Sequence, residues 1–138
     1  MLFKNISVVT PVFNDWESLE KLIDDLSDMA KNLNLKVNLI AVNDCSTTDL
    51  EKNNINPLNL NEIKILQLAS NLGHQRAIAI GLIEAHSNNK IDGVVVLDCD
   101  GEDKVSDIPK LIEKINNYPI VVASRKSRND SASYKFFY

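Results

Sequence analysis

The stretch Ile91–Asp103, IDGVVVLDCDGED, constrains the fold more than any other part of the chain. Val94, Val95, Val96 and Leu97 form an unbroken apolar run. Such a β-branched run suits a strand covered on both faces, as in the middle of a parallel sheet. The run opens onto Asp98, Asp100, Glu102 and Asp103. Carboxylates crowded at one strand end repel each other unless a cation or hydrogen-bond donors hold them. Open α/β sheets bind ligands at that edge, and a hard divalent cation shared with substrate phosphates accounts for the cluster most economically. A solvated turn is the alternative, since Asp and Gly are common turn residues.

At 138 residues the chain is one domain with room for a proper core. Its net charge of −4, with no basic run, excludes a nucleic-acid partner. An acidic protein that binds a polyanion needs local help from a metal or from helix N-termini. Cys45 and Cys99 each follow an aspartate and lack CxxC spacing. They read as reduced thiols in a cytosolic setting, serving as small buried hydrophobes. Met1–Thr10 is strand-like, without signal-peptide architecture, and no apolar run is long enough to span a membrane.

Strand and helix alternate along the chain. Ile6–Val12 reads as a strand, followed by a helix from near Asn14 whose apolar face is Trp16, Leu19, Leu22, Ile23, Leu26, Met29, Ala30 and Leu33. Val37–Val42 is the second strand, with a short helix from about Thr47, and the Asn-rich stretch Glu51–Asn61 is a loop. Ile63–Leu68 and Val94–Leu97 are the third and fourth strands, and a helix over His74–Ala85 lies between them. A further helix carries Ile108, Leu111, Ile112 and Ile115, and Ile120–Ala123 is a fifth strand. This alternation predicts a parallel, doubly wound sheet with helices on both faces.

The first, second and fourth strands end in acids or amides, so they converge on one crevice. Local structure is the rival explanation at two of them. Asn14 with Glu17, and Ser46 with Asp49, have the spacing of capping pairs. Neither pairing explains Asp44. Gly73, Ala77, Gly81 and Ala85 form a small-residue stripe that lets a helix lie close to its sheet. His74 and Arg76 sit in that helix's first turn against the dipole, which calls for a nearby anion. His74 reads equally well as a surface or capping histidine. No GxGxxG, P-loop, zinc spacing or GxSxG elbow is present.

TPVFND, VNDCSTTD, NLGHQRAIAIGL and LDCDGED, in that order, resemble family-2 glycosyltransferases, in particular the dolichol-phosphate mannosyltransferase-like branch of polyprenyl-phosphate sugar transferases. The resemblance implies an α/β fold of the GT-A (Rossmann-like) type, a three-layer sandwich with a mainly parallel central sheet. It implies a nucleoside diphosphate sugar, UDP- or GDP-linked, as donor and a lipid phosphate or saccharide as acceptor. Pro11, Phe13, Asn14 and Asp15 match the motif lining the base and ribose pocket, and Asp44 matches the acid that contacts the base. Asp98 and Asp100 match the Asp-x-Asp pair that binds the diphosphate through Mg²⁺ or Mn²⁺, with Glu102 where a metal-contacting glutamine is usual. Arg125 matches an arginine near the phosphates, and Arg128 is a weaker match. Asp100 and Arg125 are the implied catalytic residues.

The chain departs from the pattern in places. Asn43-Asp44-Cys45-Ser46 stands where Asp-Asp-Gly-Ser is usual, Phe13 replaces a tyrosine, and Lys104 replaces a proline. Residues 1–126 read as the nucleotide-sugar domain. Residues 127–138, with aromatics around Lys135, read as the start of a C-terminal acceptor or membrane-proximal segment that is missing. This leaves room for peripheral membrane association at the cytoplasmic face and for a homodimer. The expectation is a chain that binds nucleotide and transfers sugar slowly or not at all. A nucleotide-binding or regulatory module without transferase activity is the rival. Phosphoacceptor receivers and DxD phosphatases are disfavoured, because their acids sit on the first strand.

Overall fold

The computed structural model describes residues 3–49, 59–88, 90–115 and 117–124. The element order is β1 (Asn5–Val12), α1 (Trp16–Leu33), β2 (Lys36–Asn43), β3 (Glu62–Gln67), α2 (His74–His86) and β4 (Gly93–Val96). A 3-10 turn, Val105–Asp107, then leads into α3 (Ile108–Ile115). The strands form one sheet in the order β3-β2-β1-β4, and all pairings are parallel. Ile6 lies beside Val37 and Gly93, and Leu39 lies beside Ile63.

Helices cover both faces, which makes three layers. Ile6, Val8 and Val12 turn toward α1 and α3 and pack with Leu19, Ile23, Leu26 and Ile108. Val9, Ile40 and Val42 turn the other way and pack with Ala77 and Ala85 of α2. Thus β1 and β2 are buried on both sides, with Ser7, Thr10 and Asn38 buried among their apolar residues. The α1 stripe is buried from Leu19 to Ala30. The helix ends at Asn34, whose left-handed backbone (φ 51°) lets its N–H reach the Ala30 and Lys31 carbonyls.

The small-residue stripe of α2 is structural, as expected, for three of its four members. Ala77, Gly81 and Ala85 are buried against the sheet. A Cβ on Gly81 would overlap Val9 Cγ1 and come within 3.0 Å of Val42 Cγ2. Gly73 is different. It is the N-cap of α2 at φ 88°, with nothing near its missing side chain. Backbone conformation, not packing, selects glycine there.

The other departures from expectation concern partners that sequence does not display. β4 is an edge strand among the described residues, with Val96 42% exposed, not a strand in the middle of the sheet. Ile120–Ala123 forms no strand, and Ile120 and Val122 are exposed. An apolar run becomes a strand only when a neighbouring edge takes up its backbone groups. Thr47–Asp49 are not helical, and the remainder of that predicted helix lies outside the described residues, as do residues 51–58 of the Glu51–Asn61 loop. Arg125, Arg128 and the 127–138 tail also lie outside them. No helix among the described residues is long and apolar enough to cross a membrane.

Candidate functional site

At the carboxyl edge of the sheet, β1 and β4 part. Leu97 N–H donates to the Val9 carbonyl at 3.2 Å, but Pro11, two residues on, has no N–H with which to extend the pairing. The Cys99 thiol reaches the Pro11 carbonyl instead, at 3.7 Å. The strand order reverses between these two strands, so the gap is the topological switch point at which open α/β sheets take ligands. Burial, and next the nearby Asp15 carboxylate, push the Cys99 thiol up to about 11. It is therefore a protonated spacer, as its reading as a small buried hydrophobe requires.

Asn14 stands on the β1 side of this gap. It does not cap α1. Its backbone is left-handed (φ 54°), a conformation asparagine tolerates better than most residues. The cap is Asp15, which accepts the Ser18 N–H at 3.3 Å. The Asn14 side-chain oxygen accepts the Thr47 N–H at 2.8 Å and the Thr48 N–H at 3.3 Å, and its own N–H donates to Ser46 Oγ at 2.9 Å. The ends of β1 and β2 are thereby joined. Ser46 is occupied in that junction and caps no helix. Phe13, beside it, is half exposed.

The loop after β2 has its own internal logic. Asn43, standing where a carboxylate is usual, is buried. It accepts the Ser46 N–H at 2.9 Å and donates its amide to Gln67 Oε1 at 2.6 Å. A carboxylate has no donor for that second bond. Cys45 holds φ 61°, the conformation that makes glycine usual at this place.

Asp44 is 4% exposed, and its two oxygens accept the Leu72 N–H at 2.7 Å and the Gly73 N–H at 2.9 Å. These amides open α2. The first residue of α2, His74, places Nε2 3.3 Å from Asp98 Oδ1 at the end of β4. Asp44 and Asp98 thus supply the anions that the cationic first turn calls for. Neither His74 nor the two amides stood out in the sequence as site components. The signals were the conflict between His74, Arg76 and the dipole, and the place of these residues in the NLGHQRAIAIGL motif.

The segment after β4 combines both readings made from the sequence. It is a turn: Asp98 N–H donates to Asp103 Oδ2 at 3.2 Å, Glu102 N–H donates to Asp100 Oδ1 at 2.9 Å, and Gly101 has φ 83°. It also presents carboxylates at the switch point. Among the described residues no group of three or more His, Cys, Asp or Glu side chains is placed to hold a metal ion by itself. Asp98 and Asp100 supply hard oxygen donors on one short turn, the protein share that Mg²⁺ takes when substrate phosphates supply the rest. The residues fit an ion that arrives with a diphosphate better than a preformed cage.

A cleft of about 530 Å³ also touches this turn, between α1 (Lys21, Asp25, Met29) and Asp98, Gly101 and Lys104. Its lining includes neither Asn14 nor Asp44, so it shares only the β4 end, at Asp98 and Cys99, with the crevice built by the strand ends.

The profile described as Glycosyl transferase family 2 matches residues 7–136, nearly the whole chain. The chain belongs to glycosyl transferase family 2. Its parallel sheet with flanking helices is that of a GT-A, Rossmann-like domain, as the sequence motifs implied. This family-2 domain is 32% identical over 134 residues to an uncharacterized glycosyltransferase of Synechocystis sp., covering 96% of the chain and 41% of that protein. It is 32% identical over 129 residues to an undecaprenyl-phosphate 4-deoxy-4-formamido-L-arabinose transferase of Proteus mirabilis, covering 91% of the chain and 38% of the relative. A transferase of the same name from Yersinia pestis is 33% identical over 134 residues, with 93% and 39% covered. The family-2 chain therefore spans about two fifths of the length of these relatives.

Proposed function

We infer that this chain binds the donor in a transfer of sugar from a nucleoside diphosphate sugar, UDP- or GDP-linked, to a polyprenyl phosphate. The observation that carries the reading is the joining of three strand ends at the switch point. Asn14 is tied to the loop after β2, and Asp44 is tied through the start of α2 to Asp98. The acceptor class is carried over from relatives named for undecaprenyl phosphate.

In this reading Pro11, Phe13, Asn14 and Asp15 flank the base and ribose, and the half-exposed Phe13 ring offers a flat apolar surface. Asp44 accepts a base N–H with lone pairs that its two amide bonds leave over. Asp98 and Asp100, with Glu102 on the same turn, would hold Mg²⁺ or Mn²⁺ together with the diphosphate. The ion, when bound, neutralises charge developing on the leaving diphosphate as a Lewis acid. His74 keeps Asp98 oriented, and Arg125 is assigned to the phosphates. An acceptor that is already an anionic phosphate needs no protein base to deprotonate it.

Calorimetric titration of UDP, GDP and ADP, each with and without Mn²⁺, tests the reading. Uracil and guanine offer a ring N–H to Asp44 and adenine does not, so UDP and GDP should bind better than ADP, with UDP slightly favoured. Equal affinity for all three would remove Asp44 from base recognition. Absence of binding by any of them would remove the donor-site assignment.

A further inference from the structure

Asp44 has a second connection that base recognition does not use. Its carboxylate is buried, and each oxygen holds one amide of the two residues that precede α2. A buried carboxylate that receives two N–H bonds fixes the donors as firmly as itself, because releasing either leaves charge unsolvated. The next residue, His74, is the one that touches Asp98. Gly73 between them has φ 88° and no side chain to brace it, so the Asp44 bonds do the bracing. The loop is held by Asp44 at the Leu72 and Gly73 amides and meets the Asp-x-Asp turn through His74.

The geometry points to Asp44 as a positioning residue for Asp98: it sets the phosphate-side carboxylate through Leu72, Gly73 and His74, in addition to any contact with the base. The inference rests on the donor-site reading for its consequence in binding, but the linkage itself belongs to the ligand-free chain. Occupancy of the base side and readiness of the phosphate side then depend on the same short piece of backbone. The effect of Asp44 on ligand affinity should accordingly fall on the metal-dependent part.

The test is Asp44→Asn in the 138-residue chain, because asparagine keeps the shape but turns an NH₂ toward one of the two amides. In ligand-free NMR spectra at fixed pH, the His74 imidazole and Asp98 amide signals should move along with those of Leu72 and Gly73. In UDP titrations the gain in affinity on adding Mn²⁺ should shrink about tenfold, which is the loss of about one positioned charged contact. His74→Ala should shrink it comparably. Asp44→Asn added to His74→Ala should then cost little more, since the link is already cut, whereas general loosening of the fold would add in full. Unmoved His74 and Asp98 signals, an unchanged Mn²⁺ gain in Asp44→Asn, or fully additive losses would each overturn the inference. If the wild type binds no nucleotide, the donor-site reading fails, and the NMR comparison alone decides whether Asp44 sets Asp98.

Discussion

The Asn14 side-chain oxygen accepts the Thr47 backbone N–H at 2.8 Å, across a gap of 33 residues in sequence. The same oxygen lies 3.2 and 3.3 Å from the Thr47 and Thr48 hydroxyls. One amide side chain therefore decides how the end of β1 meets the loop after β2. Asn14→Ala should destabilise the fold by about 2 kcal/mol, combining lost hydrogen bonds with the cost of alanine in the left-handed region. Asn14→Gly should cost less, because it removes only the first of these. Thermal unfolding of both variants checks the order, and an alanine variant as stable as wild type would contradict it.

Gly81 tests how closely α2 approaches the sheet. Alanine would gain about 1 kcal/mol in helix propensity. Its Cβ, however, would run into Val9 Cγ1 on β1, and overpacking of this kind typically costs about 1–3 kcal/mol. Gly81→Ala should therefore destabilise on balance in denaturant titration. A stabilised variant would mean that the packing is looser than described.

Asp92 Oδ2 accepts the Lys4 and Asn5 N–H groups at 2.7 and 2.8 Å, and these bonds hold its carboxyl below its ordinary value of 3.8. A lowered folded-state value means the stabilisation is complete above pH 3.8 and is lost as pH falls toward the folded value. Asp92→Asn should therefore lose the part of the acid-unfolding slope below that pH. An unaltered acid limb would show that the two bonds are not maintained in solution.

The two cysteines should separate cleanly. Cys99 is buried and its thiol is pushed up to about 11, whereas Cys45 is partly exposed on the loop after β2. A thiol reagent at pH 8 should modify Cys45 in the native protein and Cys99 only on unfolding, because the thiolate is the reactive form. Equal rates for both would contradict the placement of Cys99 against Pro11.

The contrast between what was legible in the sequence and what was not follows from which interactions are local. β1, α1, β2, β3, α2, β4 and α3 were readable because apolar periodicity reports the faces they bury. The stripe in α2 was readable because only small residues permit contact with Val9 and Val42. The Asn14–Glu17 capping pair misled, since the Asn14 side chain is used in a bond to Thr47 that no local spacing reveals. Ile120–Ala123 misled in the same way, as its apolar run carries no information about a pairing edge. At the site, the residue types were legible and their wiring was not. Asp44 was singled out for reaching the base, but its bonds to Leu72 and Gly73 depend on a loop nearly thirty residues away.

In the function proposed above, the turn after β4 works with a divalent ion to hold a diphosphate. The most direct measurement is the calorimetric affinity for UDP with and without Mn²⁺, in wild type and in Asp100→Ala. Asp100 is exposed and accepts the Glu102 N–H within the same turn, so its removal should leave the thermal transition nearly unchanged. Wild type should bind at least about tenfold more tightly with Mn²⁺, and Asp100→Ala should lose that gain while keeping its fold. Equal affinity of the two proteins in the presence of Mn²⁺ would contradict the account.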